Sequence, residues 1–109
     1  MTYVATYTEQ TLQRDEVDAR AGLLVLEFGA NWCGHCQGAQ PAVAAALAPY
    51  PELAHIKIED GPGRRLGRSY RVKLWPTLIL LRDGQEIERL VRPGSEEEIA
   101  AALKRLTTG

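Results

Sequence analysis

Cys33 and Cys36 stand three apart in Trp32-Cys33-Gly34-His35-Cys36 and are the only cysteines in the chain. A nearly continuous apolar run, Leu23-Leu24-Val25-Leu26-Glu27-Phe28, precedes them, and an Ala-rich stretch follows. The pair therefore falls where a strand hands over to a helix. The first turn of a helix presents unpaired N–H groups and the positive end of its dipole, which favour a negative charge. A thiolate there is a better-populated nucleophile than an ordinary thiol. A second thiol one turn on can attack whatever the first has captured. The spacing points to reversible dithiol–disulfide exchange.

Other chemistry is less favoured on the same residues. Structural zinc wants four Cys or His ligands, and the chain offers two cysteines with His35 and His55. His35 lies between the cysteines, poorly placed to share a tetrahedral ion with both. A permanent disulfide would close a tiny loop and constrain little of the unfolded chain. Haem attachment needs His directly after the second cysteine, where Gln37 stands.

The elements that must position the pair follow from pattern. Tyr3 to Tyr7 reads as a short strand, and Thr8 to Arg20 as a loop followed by a helix. Leu23 to Phe28 has the composition of a strand covered on both faces. A helix follows from about Cys33 to Ala48, with Ala39, Val43 and Leu47 on one face. Pro41 interrupts it and is expected to bend it. A strand at about Leu53 to Glu59, a turn at Asp60-Gly61-Pro62-Gly63 and a short helix at about Arg64 to Tyr70 come next. Thr77 to Leu81 is a second apolar strand, and Asp83-Gly84 turns it into a hairpin with Glu86 to Arg92. Ser95 and Glu98 mark the start of a last helix, whose buried stripe is Ile99, Ala102, Leu103 and Leu106. The order β-α-β-α-β-α-β-β-α predicts an α/β fold: a central mixed sheet with helices on both faces. Alternation predicts parallel strands first, with an antiparallel edge from the final hairpin.

One domain spanning residues 1–109 suits this length. Thirteen basic and fourteen acidic residues give a net charge of −1. That provides no electrostatic case for nucleic acid or an anionic membrane as main partner. No stretch is apolar and long enough to span a bilayer. The start, Met1-Thr2-Tyr3-Val4-Ala5-Thr6-Tyr7, lacks a basic segment followed by an apolar one. The expected location is the cytoplasm, or the periplasm if a signal has been trimmed.

The run of motifs resembles the thioredoxin fold family from about Leu23 to Leu106. Glu27-Phe28, Trp32-Cys33-Gly34-His35-Cys36, Pro41, Trp75-Pro76-Thr77 and Asp83-Gly84 occur in the family's order and spacing. The resemblance implies a thioredoxin-like fold and a thiol–disulfide oxidoreductase. Cys33 would attack, Cys36 would resolve, and no cofactor beyond the Cys33–Cys36 pair would be needed. It further implies a cis bond before Pro76, with Thr77 beside it, in a loop whose backbone pairs with an extended substrate segment. Implied partners are protein or peptide disulfides and a recharging reductase or oxidant, with the chain acting as a monomer.

Departures from typical thioredoxin tune this reading. His35 stands where proline is usual, and Cys-Gly-His-Cys is similar to protein disulfide isomerase domains. His35 would stabilise the Cys33 thiolate and make the disulfide more oxidising. Glu27 breaks an apolar strand. In the family an acidic residue there sits beneath the cysteines and moves a proton, through water, to or from the second one. Burial is expected to raise its pKa, and Lys57 is its candidate partner. Trp32 would be a platform beside the active loop, with Gly34 next to it. Trp75 would contact substrate or form a lid over the cysteines and Trp32. Arg92 falls where many relatives have glycine, and would crowd the groove, offer a cation to acidic substrates, or pair with Glu88. Arg64, Arg68 and Arg71, with Arg65 and Lys73 nearby, form either a solvated face or a docking patch for acidic partners. His55 receives no role. The rival function is a redox-inactive or regulatory module docking one partner through the Trp75/Arg92 groove; the intact cysteine pair argues against it.

Overall fold

The computed structural model describes residues 3–9 and 11–108. Met1 and Thr2, read above as part of the chain's start, lie outside these residues. The elements are α1 (Arg14–Asp18), β1 (Leu23–Gly29), α2 (Gly34–Leu47), β2 (Ala54–Glu59), α3 (Arg65–Ser69), β3 (Thr77–Arg82), β4 (Gln85–Val91) and α4 (Glu96–Thr108). They form a mixed four-stranded sheet in the order β2-β1-β3-β4.

Strand β1 is central because it is apolar on both faces. Leu24, Leu26 and Phe28 join Ile58, Leu66, Tyr70, Ile79 and Leu81 on one side. Val25 joins Val43, Leu47, Leu78, Leu80 and the Ile99, Leu103 and Leu106 stripe of α4 on the other. Fully burying one such side chain contributes about 2 kcal/mol. Glu27 shares the face of Val25, which sets it under α2. Ser95 accepts a hydrogen bond from the Glu98 N–H at 3.2 Å, as a helix cap should.

Two expectations change. Tyr3 to Tyr7 is not a strand, and the one isolated bridge to the sheet among the described residues is made by the next residue, Thr8, with Ile58. Side chains take its backbone groups instead. The Val4 N–H donates to His55 Nδ1 at 3.0 Å, and the Tyr7 N–H to Asn31 Oδ1 at 2.9 Å. Strand β3 also runs antiparallel to β1, and only β1 and β2 are parallel. The five residues of α3 advance about 7.5 Å, too little to return along a six-residue strand of about 20 Å. The chain re-enters the sheet from the end it left, so Thr77 pairs with Phe28. Pro76 thereby arrives at the end of β1 from which the cysteine segment departs. Among the described residues no helix is long and apolar enough to cross a membrane.

Candidate active site

Cys33 caps α2 in extended geometry, and its Sγ accepts the Cys36 N–H at 3.3 Å. Its own N–H donates to the Ala30 carbonyl at 3.1 Å, fixing the turn that leaves β1. Both cysteines are free thiols. Cys33 retains 8% exposure, whereas Cys36 retains 1%. Of the two, Cys33 is the one nearer the surface. Burial first, and the neighbouring Cys33, push the Cys36 thiol up to about 11, against smaller opposing hydrogen bonds from Ala30 and Tyr7.

Gly29 makes the floor of this site. A Cβ there would lie 2.6 Å from Cys36 Sγ, 2.7 Å from Tyr7 Cζ and 2.8 Å from the Tyr7 oxygen. Only a bare Cα lets the phenol come under the thiol. The Tyr7 hydroxyl donates a short hydrogen bond to Glu27 Oε2 and also interacts with the Cys36 side chain. Burial, then the adjacent Glu27, raise the Tyr7 pKa far above that of a free phenol.

Glu27 is fully buried but well supplied with donors. Gln40 Nε2 donates to Oε2 at 3.0 Å, and His55 Nε2 contacts Oε1 at 2.9 Å. Because His55 Nδ1 accepts from the Val4 N–H, Nε2 is left to donate to Glu27. Burial pushes the carboxyl upward. The bonds from His55, Tyr7 and Gln40, with the Lys57 charge, outweigh it and hold the group below the ordinary carboxylate range. The raised pKa expected from burial alone is therefore corrected. So is the Lys57 pairing. Lys57 is buried and donates to Gln40 Oε1 at 2.6 Å and to the Ala5 carbonyl at 2.9 Å. Its partner is the far end of the amide that holds Glu27.

The groove beside Cys33 is formed by the loop before β3. The Trp75–Pro76 bond is cis. Pro76 lines a cleft of about 240 Å³ with Gly34, His35, Arg92 and Pro93. Arg92 has a left-handed φ of 49°, the conformation that favours glycine. It does not pair with Glu88, which takes Arg105 at 2.7 Å. Instead the Arg92 N–H donates to the Pro76 carbonyl at 2.9 Å, and Nε donates to the Trp75 carbonyl at 2.8 Å. The Trp75 indole packs on the Cys33–Cys36 cluster and meets Trp32 edge to face, with ring centroids 5.6 Å apart. Its N–H donates to Asp60 Oδ2 at 2.8 Å. Trp32 is 72% exposed.

Thr77 is buried and turns its hydroxyl to the Leu74 carbonyl at 2.6 Å, so its side chain does not line the groove. His35 is exposed on the groove wall and makes no hydrogen bond to Cys33 among the described residues. No group of three or more His, Cys, Asp or Glu side chains converges as a metal site among the described residues.

Sequence reasoning missed Tyr7, Gln40 and His55. One signal was available. His55 and Lys57 are polar residues two apart in a strand, so they share a face, and that face is Glu27's. Tyr7 carried none, because only the fold brings it under Gly29.

Residues 3–105 match the sequence profile of the family described as Thioredoxin. A thioredoxin of Chlamydia trachomatis is 38% identical over 71 residues, covering 65% of this chain and 70% of that protein. An H-type thioredoxin of Fagopyrum esculentum is 32% identical over 75 residues, 69% of this chain and 65% of its own length. Reduced thioredoxin 2 from Pseudomonas aeruginosa superimposes with a TM-score of 0.85 at 54% identity, with 94% of each chain covered.

Proposed function

The chain belongs to the thioredoxin family, and on that premise we propose that it is a thiol–disulfide oxidoreductase acting on protein disulfides. The observation that carries this reading is the Cys33–Cys36 pair, whose first residue is the more exposed of the two, with Tyr7 beneath the second and Glu27 behind Tyr7.

Cys33 attacks one sulfur of a substrate disulfide and expels the other as a thiolate, which takes up a proton. Cys36 then attacks Cys33 Sγ in the mixed disulfide and expels the second substrate thiolate. The substrate gains two electrons, and Cys33 and Cys36 are left joined. A partner reductase must return the two electrons for another turnover, and an oxidising partner would run the cycle backwards. The dithiol carries the electrons itself, so no cofactor enters.

The second step needs a base, because the Cys36 thiol is held up to about 11. As the new S–S bond forms, the attacking S–H becomes strongly acidic. Its proton passes to the Tyr7 oxygen while the Tyr7 O–H proton passes to Glu27. A carboxylate held low can accept it at that moment and return it when the disulfide is reduced again. Trp32, Gly34, Trp75, Pro76 and Arg92 make the surface that meets substrate, while Thr77, buried between Phe28 and Val91 in the sheet, lies behind it. His35, between the cysteines, sets redox poise as in a protein-disulfide-isomerase-type motif.

Insulin reduction by the wild type and by Cys33→Ser tests the proposal. The wild type should precipitate the insulin B chain and the variant should not. Equal, negligible turnover in both would favour a docking module without redox activity.

A further inference from the structure

Trp75 also lines a cleft of about 510 Å³ that shares no residue with the Pro76 groove. Asp60, Arg64, Arg68, Arg71, Lys73 and Trp75 line it. Two of these side chains already have partners. Arg64 pairs with Glu9 at 2.9 Å and with Glu59 at 3.1 Å. Asp60 receives the Trp75 indole N–H and backs onto Gly67, where a Cβ would run into its carboxylate. Arg68, Arg71 and Lys73 are exposed and have no carboxylate partner among the described residues. Three unanswered cations thus line one hollow of a chain whose net charge is −1.

The backbone adds to this. Arg71 ends α3 with a φ of 58°. Glycine would take that conformation without strain at a helix end, yet an arginine holds it. Its N–H donates to the Arg68 carbonyl at 3.0 Å, so the two cationic residues are tied together at the cleft. Trp75 is the wall shared with the reaction site: one residue lines the cleft and packs on Cys33 and Cys36.

We infer that this cleft binds an acidic segment of the disulfide-bearing protein, with carboxylates on Arg68, Arg71 and Lys73 while the disulfide sits at Cys33. The inference rests on the oxidoreductase reading and names its substrate class. An extended segment can space its carboxylates over the three cations and away from Asp60. A compact polyanion would be pushed against the Asp60 carboxylate. Charges at such a rim act chiefly by speeding encounter and choosing partners, and they weaken with salt.

Two disulfide-bridged peptides test this, one flanked by Glu and one by Gln. In low salt the wild type should reduce the acidic peptide with kcat/KM about tenfold higher, as three exposed ion pairs would allow. The preference should vanish in Arg68→Gln/Arg71→Gln/Lys73→Gln, with turnover of the neutral peptide unchanged. The charge-reversed triple Glu variant should prefer a Lys-flanked peptide. Equal wild-type rates on both original peptides, or a preference that survives the triple Gln change, would overturn the inference. Turnover of neither peptide would overturn the oxidoreductase reading instead. The cleft is then judged by indole fluorescence with a cysteine-free acidic peptide, which the wild type should bind and the triple Gln variant should not. Inorganic phosphate competing as strongly as the acidic peptide would make this a small-anion site and overturn the peptide assignment.

Discussion

The Gln40 amide stands between Lys57 and Glu27, accepting from the ammonium at 2.6 Å and donating to the carboxylate at 3.0 Å. Two buried opposite charges are thus joined through a neutral side chain. Their separation spares Glu27 a direct ion pair with Lys57; the oxygen that accepts from the amide also accepts from Tyr7, and His55 meets the other.

Gln40→Leu should leave both charged groups short of a partner in a low-dielectric interior. The expected loss is about 2 kcal/mol of stability, since an unsatisfied buried polar group costs about 1–3 kcal/mol. Urea denaturation of the variant against the wild type measures it. An unchanged midpoint would mean that water replaces the amide.

Tyr7→Phe should slow resolution of a mixed disulfide by roughly 10²-fold at neutral pH, the lower end for general-base assistance. The deficit should shrink as pH approaches the Cys36 value of about 11, where that thiol ionises unaided. Stopped-flow single turnover across pH reads both. A deficit constant with pH would assign Tyr7 a packing role only.

Glu27 sets an acid limb of stability. Its folded pKa is held below the ordinary value of about 4.3. Between the two values the unfolded chain binds more protons, so stability rises with pH there. The contribution is present above the ordinary value and is lost as pH falls through the folded one. Glu27→Gln should flatten the unfolding free energy against pH in that acid window. A limb as steep as in the wild type would mean that another carboxyl is responsible.

His35→Pro should make the Cys33–Cys36 disulfide harder to reduce. The potential should move negative by about 30 mV for each tenfold change in equilibrium with glutathione. An unmoved potential would remove His35 from redox control and leave it as an exposed residue of the groove.

Much of the fold was legible because its signals are local. Leu23 to Phe28, the Asp83-Gly84 turn and the Ile99–Leu106 stripe announce their elements by composition and period. The antiparallel entry of β3 was not, because strand direction depends on how far α3 carries the chain. In the site, the cysteine pair and Glu27 were visible as violations of pattern. The ring of donors around Glu27 was hidden, since Tyr7, Gln40 and His55 lie 20, 13 and 28 positions away from it. Burial alone argued for a raised Glu27 pKa; the donors reverse that direction.

Arg92 already occupies the Trp75 carbonyl through Nε and the Pro76 carbonyl through its N–H. A visiting backbone laid along this edge as an extra strand would find each of these acceptors already holding one donor. The visitor must share them with Arg92 or displace it, and a displaced hydrogen bond returns little net gain. Under the proposed function, grip on a guest is expected to lean on its sulfur and its side chains.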